Sequence, residues 1–155
     1  MAFLSSINVI GSGLTAQQLR LDVVSENITN STTTRTENDG GAYRRKMVVF
    51  EAQSGREDFR SAMAKAAGKA VANRDNGANA GGVRVTQIMD DLSPLKLVYD
   101  PTHPDANEEG YVEMPNVDTV KEITDAMAAT QAYSANVTAF NTLKSVIAKG
   151  LEIGG

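Results

Sequence analysis

The sequence predicts an α+β fold. Long N- and C-terminal helices pair as a coiled-coil-like α domain, and a small β-rich middle region with a mobile loop lies between them. Three observations carry this reading. A heptad spacing of apolar residues fills the first part of the chain, and the same spacing returns at its end. Between them the pattern changes to short β-forming runs bounded by turn residues. Residues 1–30 and 117–155 are the helical part on this reading. Residues 31–116 form the insertion, with its flexible loop at about 56–82.

The first helix follows from Phe3, Ile7, Ile10, Leu14, Gln17, Leu21, Val24 and Ile28, which alternate four and three positions apart. Such a seam forms when a helix packs lengthwise on another helix. At about 1.5 Å per residue the helix is roughly 39 Å long. Gly11 and Gly13 interrupt it, each costing about 1 kcal/mol relative to alanine. Thr15 and Gln18 make a capping-box pattern where a helix can start afresh. The seam keeps its phase across the glycines, so the expectation is one continuous helix with a weak point.

The last helix repeats the spacing through Ile123, Ala126, Thr130, Tyr133, Val137, Phe140, Lys144, Ile147 and Leu151. Asn116 or Asp118 can cap its start, and Gly154-Gly155 ends the run. Two matched seams bury each other most economically by pairing, which brings the chain ends together. A two-helix coil leaves Leu4, Leu19, Val23, Val120, Met127 and Leu143 only partly covered, so further copies of the chain are expected to cover them.

In the middle region, "YRRKMVVFEA", "GGVRVTQIMDD" and "LKLVY" have strand composition, and "SPL", "DPTHPD" and "EEG" are turn signals. Residues 61–82 are rich in Ala, Gly and Asn, with a first half open to helix and a second half expected to be a loop. Residues 31–56 carry a net charge of +2 and residues 81–116 a net charge of −5. Contact between the patches of two molecules and separate solvated surfaces are both open readings.

Composition narrows the function. The net charge of −4 opposes general nucleic-acid binding, which needs a basic surface. The absence of cysteine removes thiol catalysis, disulfides and thiolate metal sites. No apolar run approaches the roughly 18 residues of a membrane span, so no direct membrane insertion is expected. Arg20 is the first basic residue, which argues against a cleaved signal peptide.

The motifs that touch chemistry lack their context. Gly11, Gly13 and Ala16 fit a dinucleotide fingerprint, but the residues before them keep a heptad phase and do not read as a strand. Asp105, Asn107, Glu109 and Gly110 begin like a calcium loop, yet Asn116 stands where a bidentate glutamate belongs and Pro115 blocks the exit helix. A turn into a strand fits that stretch better. His103 is the single histidine and sits in a turn, with no partners for a zinc site or a serine triad. Adjacent Asp90-Asp91 and Glu108-Glu109 do not share a strand face. The cluster Arg44-Arg45-Lys46 reads as a solvated strand face or a subunit contact rather than a nucleic-acid patch. No catalytic, cofactor-binding or metal residue is expected, and the pattern describes a structural subunit.

The stretch "GLTAQQLRLDVVSENITNSTTTRT" resembles the N-terminal signature of the flagellar axial proteins, the rod, hook and hook-associated subunits. Its Ser-x-Asn-Ile-x-Asn box falls on Ser25, Asn27, Ile28 and Asn30, with Thr29 and Ser31 where the box usually carries alanine. "SPLKLVYDPTHPDANEEGYVEMPNV", "AYSANVTAFNTLKS" and the terminal "LEI" point within that family to the proximal rod. The resemblance covers most of the chain except about residues 56–82. It implies a non-enzymatic rod subunit without cofactor, exported through the flagellar type III apparatus and assembled in the periplasm. The implied partners are other copies of itself, rod proteins of the FlgB, FlgF and FlgG types, the FliE adaptor and the MS ring, with the export apparatus in transit. The terminal helices would form an inner tube around the export channel. The two readings set against it are a coiled-coil adaptor unrelated to flagella and a nucleotide-binding enzyme using Gly11 and Gly13.

Overall fold

The computed structural model describes residues 2–37, 40–53, 63, 66–67 and 81–154. The loop expected at about 56–82, including its helical half, lies almost entirely outside the described residues. The element order is α1 (Ala2–Thr29), β1 (Lys46–Ala52), β2 (Val83–Asp90), β3 (Lys96–Tyr99), β4 (Tyr111–Met114) and α2 (Thr119–Gly154).

α1 runs unbroken through both glycines for 28 residues. Thr15 does not open a new helix, since its hydroxyl donates back to the Gly11 carbonyl at 3.1 Å within the same one. Asp118 is the N-cap of α2, its Oδ1 accepting from the Val120 amide at 3.1 Å. Asn116 holds the chain before the cap. It accepts from the Arg45 amide at 2.8 Å and donates to the carbonyls of Asp91 and Ser93.

The two helices pack antiparallel. Asn27 meets Glu122 and Arg20 meets Asp125, while Gly13 faces Asn136. A Cβ added at Gly13 would stand 3.0 Å from Asn136 Nδ2, so the glycine admits that side chain between the helices. α2 is 36 residues long and runs past the start of α1 by roughly two turns.

The most buried positions do not coincide with the apolar seams. In α1 they are Ala16, Val23, Val24 and Asn27, and in α2 they are Glu122 and Ala129. All but Val24 fall one residue before a seam rung. Small and polar residues (Ala16, Ala129, Asn27 and Glu122) make up much of this buried set, and hydrophobic spacing alone does not register them. Val23, expected to be half-covered, is buried, while Val120 and Met127 are exposed.

β1 and β2 pair antiparallel from Lys46↔Asp90 to Ala52↔Val83, with a register shift between Val49 and Phe50. An isolated two-stranded ribbon is marginal, and this one lies on α1. Ser12 Oγ accepts from the Val83 amide at 3.1 Å. Gly82 comes so close to that serine that a Cβ there would fall 1.9 Å from its hydroxyl.

β3 and β4 form a second ribbon, from Lys96↔Met114 to Tyr99↔Tyr111. β4 is the strand that follows the "DANEEG" turn. Gly110, at φ +81°, makes the sharp exit from that turn. Val112 anchors the ribbon in the core, and Lys96 Nζ donates to the Val117 carbonyl at 2.6 Å.

Candidate functional site

The polar centre of the molecule lies where α1 ends, α2 begins and β1 is entered. Asn27 is 1% exposed and its side-chain amide makes four hydrogen bonds. Nδ2 donates to the Lys46 carbonyl and to Glu122 Oε2, each at 2.9 Å. Oδ1 accepts from the Tyr43 hydroxyl and the Lys46 amide, again at 2.9 Å. Both main-chain groups of Lys46 are thus paired by one amide, as a neighbouring strand would pair them.

Glu122 is fully buried in the first turn of α2, where the helix dipole favours an anion. Its Oε1 accepts from Arg45 Nε at 2.6 Å. Arg45 also reaches Asp125 at 3.4 Å and Asp91 at 3.9 Å, and Asp125 reaches Arg20 at 3.2 Å. Lys46 pairs with Glu26. Burial, then the carboxylates of Glu26, Asp90 and Glu122, push the Tyr43 phenol well above its ordinary value, so it remains a donor to Asn27. The Ser93 hydroxyl and amide, and then Arg45, hold Asp91 below the usual carboxylate range.

These contacts revise two expectations. The Arg44-Arg45-Lys46 cluster is not a solvated face, because Arg45 and Lys46 are committed to carboxylates of the same chain. The oppositely charged segments meet within one molecule, through Arg35–Asp105, Arg45–Asp91 and Arg84–Glu51. Asn30 turns back on the end of α1, adding a second hydrogen bond to the Glu26 carbonyl, which also accepts from the Asn30 main-chain amide. Its Nδ2 donates to the Glu26 carbonyl at 3.0 Å, while its Oδ1 accepts from Thr33. The following "TNSTTTRT" tract is tied to its own chain: the Tyr43 main-chain amide donates to the Thr33 carbonyl, and Thr34 and Arg35 bind Asp105.

Of the box residues, Asn27 alone is buried; Ile28 and Asn30 are half-buried and Ser25 is exposed. In the N-terminal seam Val24 is buried, and Ile7, Ile10, Leu14 and Leu21 are half-buried; the Phe3 side chain lies outside the described residues. Gln17 buries Oε1 with no hydrogen-bond partner among the described residues. In the C-terminal seam Tyr133, Val137 and Ile147 are half-buried, while Ile123, Phe140 and Leu151 are exposed. Val120, Met127 and Val146 add to that apolar surface, and Leu151 is 72% exposed.

The chemical motifs dissolve into local structure. Gly11 and Gly13 are interior to α1, with no strand before them, so the dinucleotide reading fails. Asn107 Oδ1 accepts from the amides of Glu109 and Tyr111, which builds the turn into β4. His103 Nδ1 accepts from the Asp105 amide at 3.1 Å in a local turn. Among the described residues no group of His, Asp and Glu is arranged to hold a metal, and no helix is long and apolar enough to cross a membrane.

A helical pair with apolar side chains left outside, carrying a small β region on a polar junction, has the build of an assembly subunit. Comparison with known proteins gives that class its identity. Residues 7–35 match the family described as flagella basal body rod protein. Residues 108–153 match the C-terminal family of the flagellar basal body rod FlgEFG proteins. The flagellar basal-body rod protein FlgC of Bacillus subtilis is 48% identical over 99% of both chains. Its namesake in Borreliella burgdorferi is 45% identical over 99% of this chain and 98% of its own. That of Escherichia coli O6:H1 is 40% identical over 99% of both. The chain belongs to the FlgC family of flagellar basal-body rod proteins.

Proposed function

We propose that the chain is a structural subunit of the proximal rod, the part of the drive shaft that transmits torque and surrounds the export channel. The observation that carries the proposal is the apolar surface of α2. Val120, Ile123, Met127, Phe140, Val146 and Leu151 all remain exposed when the chain stands alone. Covering one large apolar side chain contributes about 1.5–3 kcal/mol. Partial burial of these six contributes on the order of 5–10 kcal/mol per subunit, enough to make a stiff tube from many weak contacts.

In this reading α1 and α2 form the inner tube, with residues 1–30 and 117–155 as the helical domain. Residues 31–116 stand outside as the second domain. The half-buried seams, Ile7, Ile10, Leu14, Leu21 and Ile28 on α1 and Tyr133, Val137 and Ile147 on α2, are the assembly surfaces beside that exposed set. The partners are other copies, neighbouring rod proteins, the adaptor and the membrane ring. The subunit works in the periplasm after export through the flagellar type III apparatus, and it carries no catalytic activity. The names of its relatives and their near-complete overlap with it support these assignments.

The test is complementation of a strain lacking this chain with Phe140→Asp or Leu151→Asp, read by motility and by micrographs of isolated basal bodies. The expected result is loss of rods with a monomer that still folds. Complete basal bodies in the deletion strain would refute the rod assignment.

A further inference from the structure

Buried side chains thin out along the helix pair. Among the described residues, no α1 side chain before Ala16 and no α2 side chain after Ala129 is buried. This half of the pair is also free of Asp, Glu, Lys and Arg, since none occurs in residues 2–19 of α1 or 126–143 of α2. The Arg20–Asp125 ion pair stands at its border. Its side chains are 32% and 37% exposed, and pairs so exposed contribute little. Apolar seams that share a repeat match again after a slip of one heptad, and Gly11 and Gly13 loosen α1 on this side of the border. Something other than charge must hold the register here. Two side chains are placed to do so. Gln17 is the one polar rung of the α1 seam, and its Oε1 is buried with no hydrogen-bond partner among the described residues. A buried acceptor left unpaired is costly. Asn136 brings a donor to the same level. Its Nδ2 lies 3.0 Å from where a Cβ on Gly13 would stand, and Gly13 is one turn before Gln17. Helical side chains lean towards the N-terminus of their own helix. The helices are antiparallel, so Gln17 leans back over Gly13 while Asn136 leans towards Gln17.

We propose that Gln17 and Asn136 form a polar rung across the α1–α2 contact, Asn136 Nδ2 donating to Gln17 Oε1, which fixes the register of this half of the pair in the assembled rod. A slip of one heptad puts Ala129 or Leu143 in the place of Asn136, and neither side chain can donate. The rung therefore admits one register, as a lone polar residue does in the seam of a coiled coil. Gly13 belongs to the device, because a side chain there would push Asn136 out of the contact. The proposal rests on the rod-subunit reading above, since this half of the pair buries too little to hold its register alone.

Complementation of a strain lacking this chain tests the rung, read by swimming and by the amount of the chain in isolated basal bodies. Gln17→Leu and Asn136→Leu each lower that amount about fivefold or more, although leucine suits an apolar seam. Gln17→Asn makes one side chain too short and Asn136→Gln makes the other too long, so each alone lowers it as well. The exchange variant carrying both recovers most of the loss. Gln18→Leu, at the exposed neighbour that pairs with Asp22, leaves the amount unchanged. Three outcomes overturn the rung: a leucine variant at either position that assembles like wild type, an exchange variant no better than its worse single, or a Gln18→Leu loss as large as that of Gln17→Leu. Failure of the rod reading is distinct, because the wild-type chain itself is then missing from basal bodies.

Discussion

Replacing Asn27 by alanine is expected to be the most damaging single truncation on α1, although asparagine is a polar residue near a helix end. The substitution removes four hydrogen bonds of 2.9 Å each. It leaves the Tyr43 hydroxyl, the amide and carbonyl of Lys46 and one oxygen of Glu122 without that partner. Each stranded buried group costs about 1–3 kcal/mol, and a water entering the vacated space recovers part of the loss. The net expectation is about 3–5 kcal/mol, a large share of the roughly 5–15 kcal/mol that holds a domain. Asn30→Ala is the internal control. It removes one bond to the Glu26 carbonyl and one from Thr33 at a half-exposed helix end, for about 1 kcal/mol. The assay is urea unfolding of the purified chain followed by circular dichroism. If Asn27→Ala costs no more than Asn30→Ala, the buried amide is not what joins the helices to β1.

Gly11→Ala meets open space and should raise the unfolding midpoint, by about 1 kcal/mol of helix propensity, whereas Gly13→Ala pushes on Asn136 and should gain less or lose; parallel urea titrations separate the two. Gly82→Ala drives a methyl into the Ser12 hydroxyl and should destabilise by about 1–3 kcal/mol. Adding Ser12→Gly should recover part of that loss, and a double-mutant cycle reads the coupling. Asp91 is held below its usual range, so its contribution is present above the unfolded value near 3.9 and is lost as pH falls through the lower folded value. Asp91→Asn should therefore flatten part of the fall in urea midpoint below about pH 4.

Much of the scaffold was legible because it repeats. Two helices of 28 and 36 residues announce themselves by period, and the in-phase seam correctly implied that α1 would continue through Gly11 and Gly13. The strands were legible by composition. β4 was weaker, being a four-residue segment recognisable mainly from the turn before it. The junction was harder to read. Asn27 stood out as part of a motif, but Glu122 had no local signal at all, since a glutamate in the first turn of a helix is ordinary on the surface.

The sequence by itself determined the helix pair, the β character of the middle, the absence of thiol chemistry and, by resemblance, the family. These rest on local periodicity, composition and motif, which need no knowledge of distant neighbours. Tertiary structure alone decided which faces meet. It set Gly13 against Asn136, buried Ala16 and Ala129, and left Val120, Met127 and Leu151 outside. It also joined Asn27 to Glu122 across 95 positions of chain. The reason is physical: helix packing is set by how closely backbones can approach and by whether every buried polar group finds a partner. Both depend on residues that the chain brings together only when it folds.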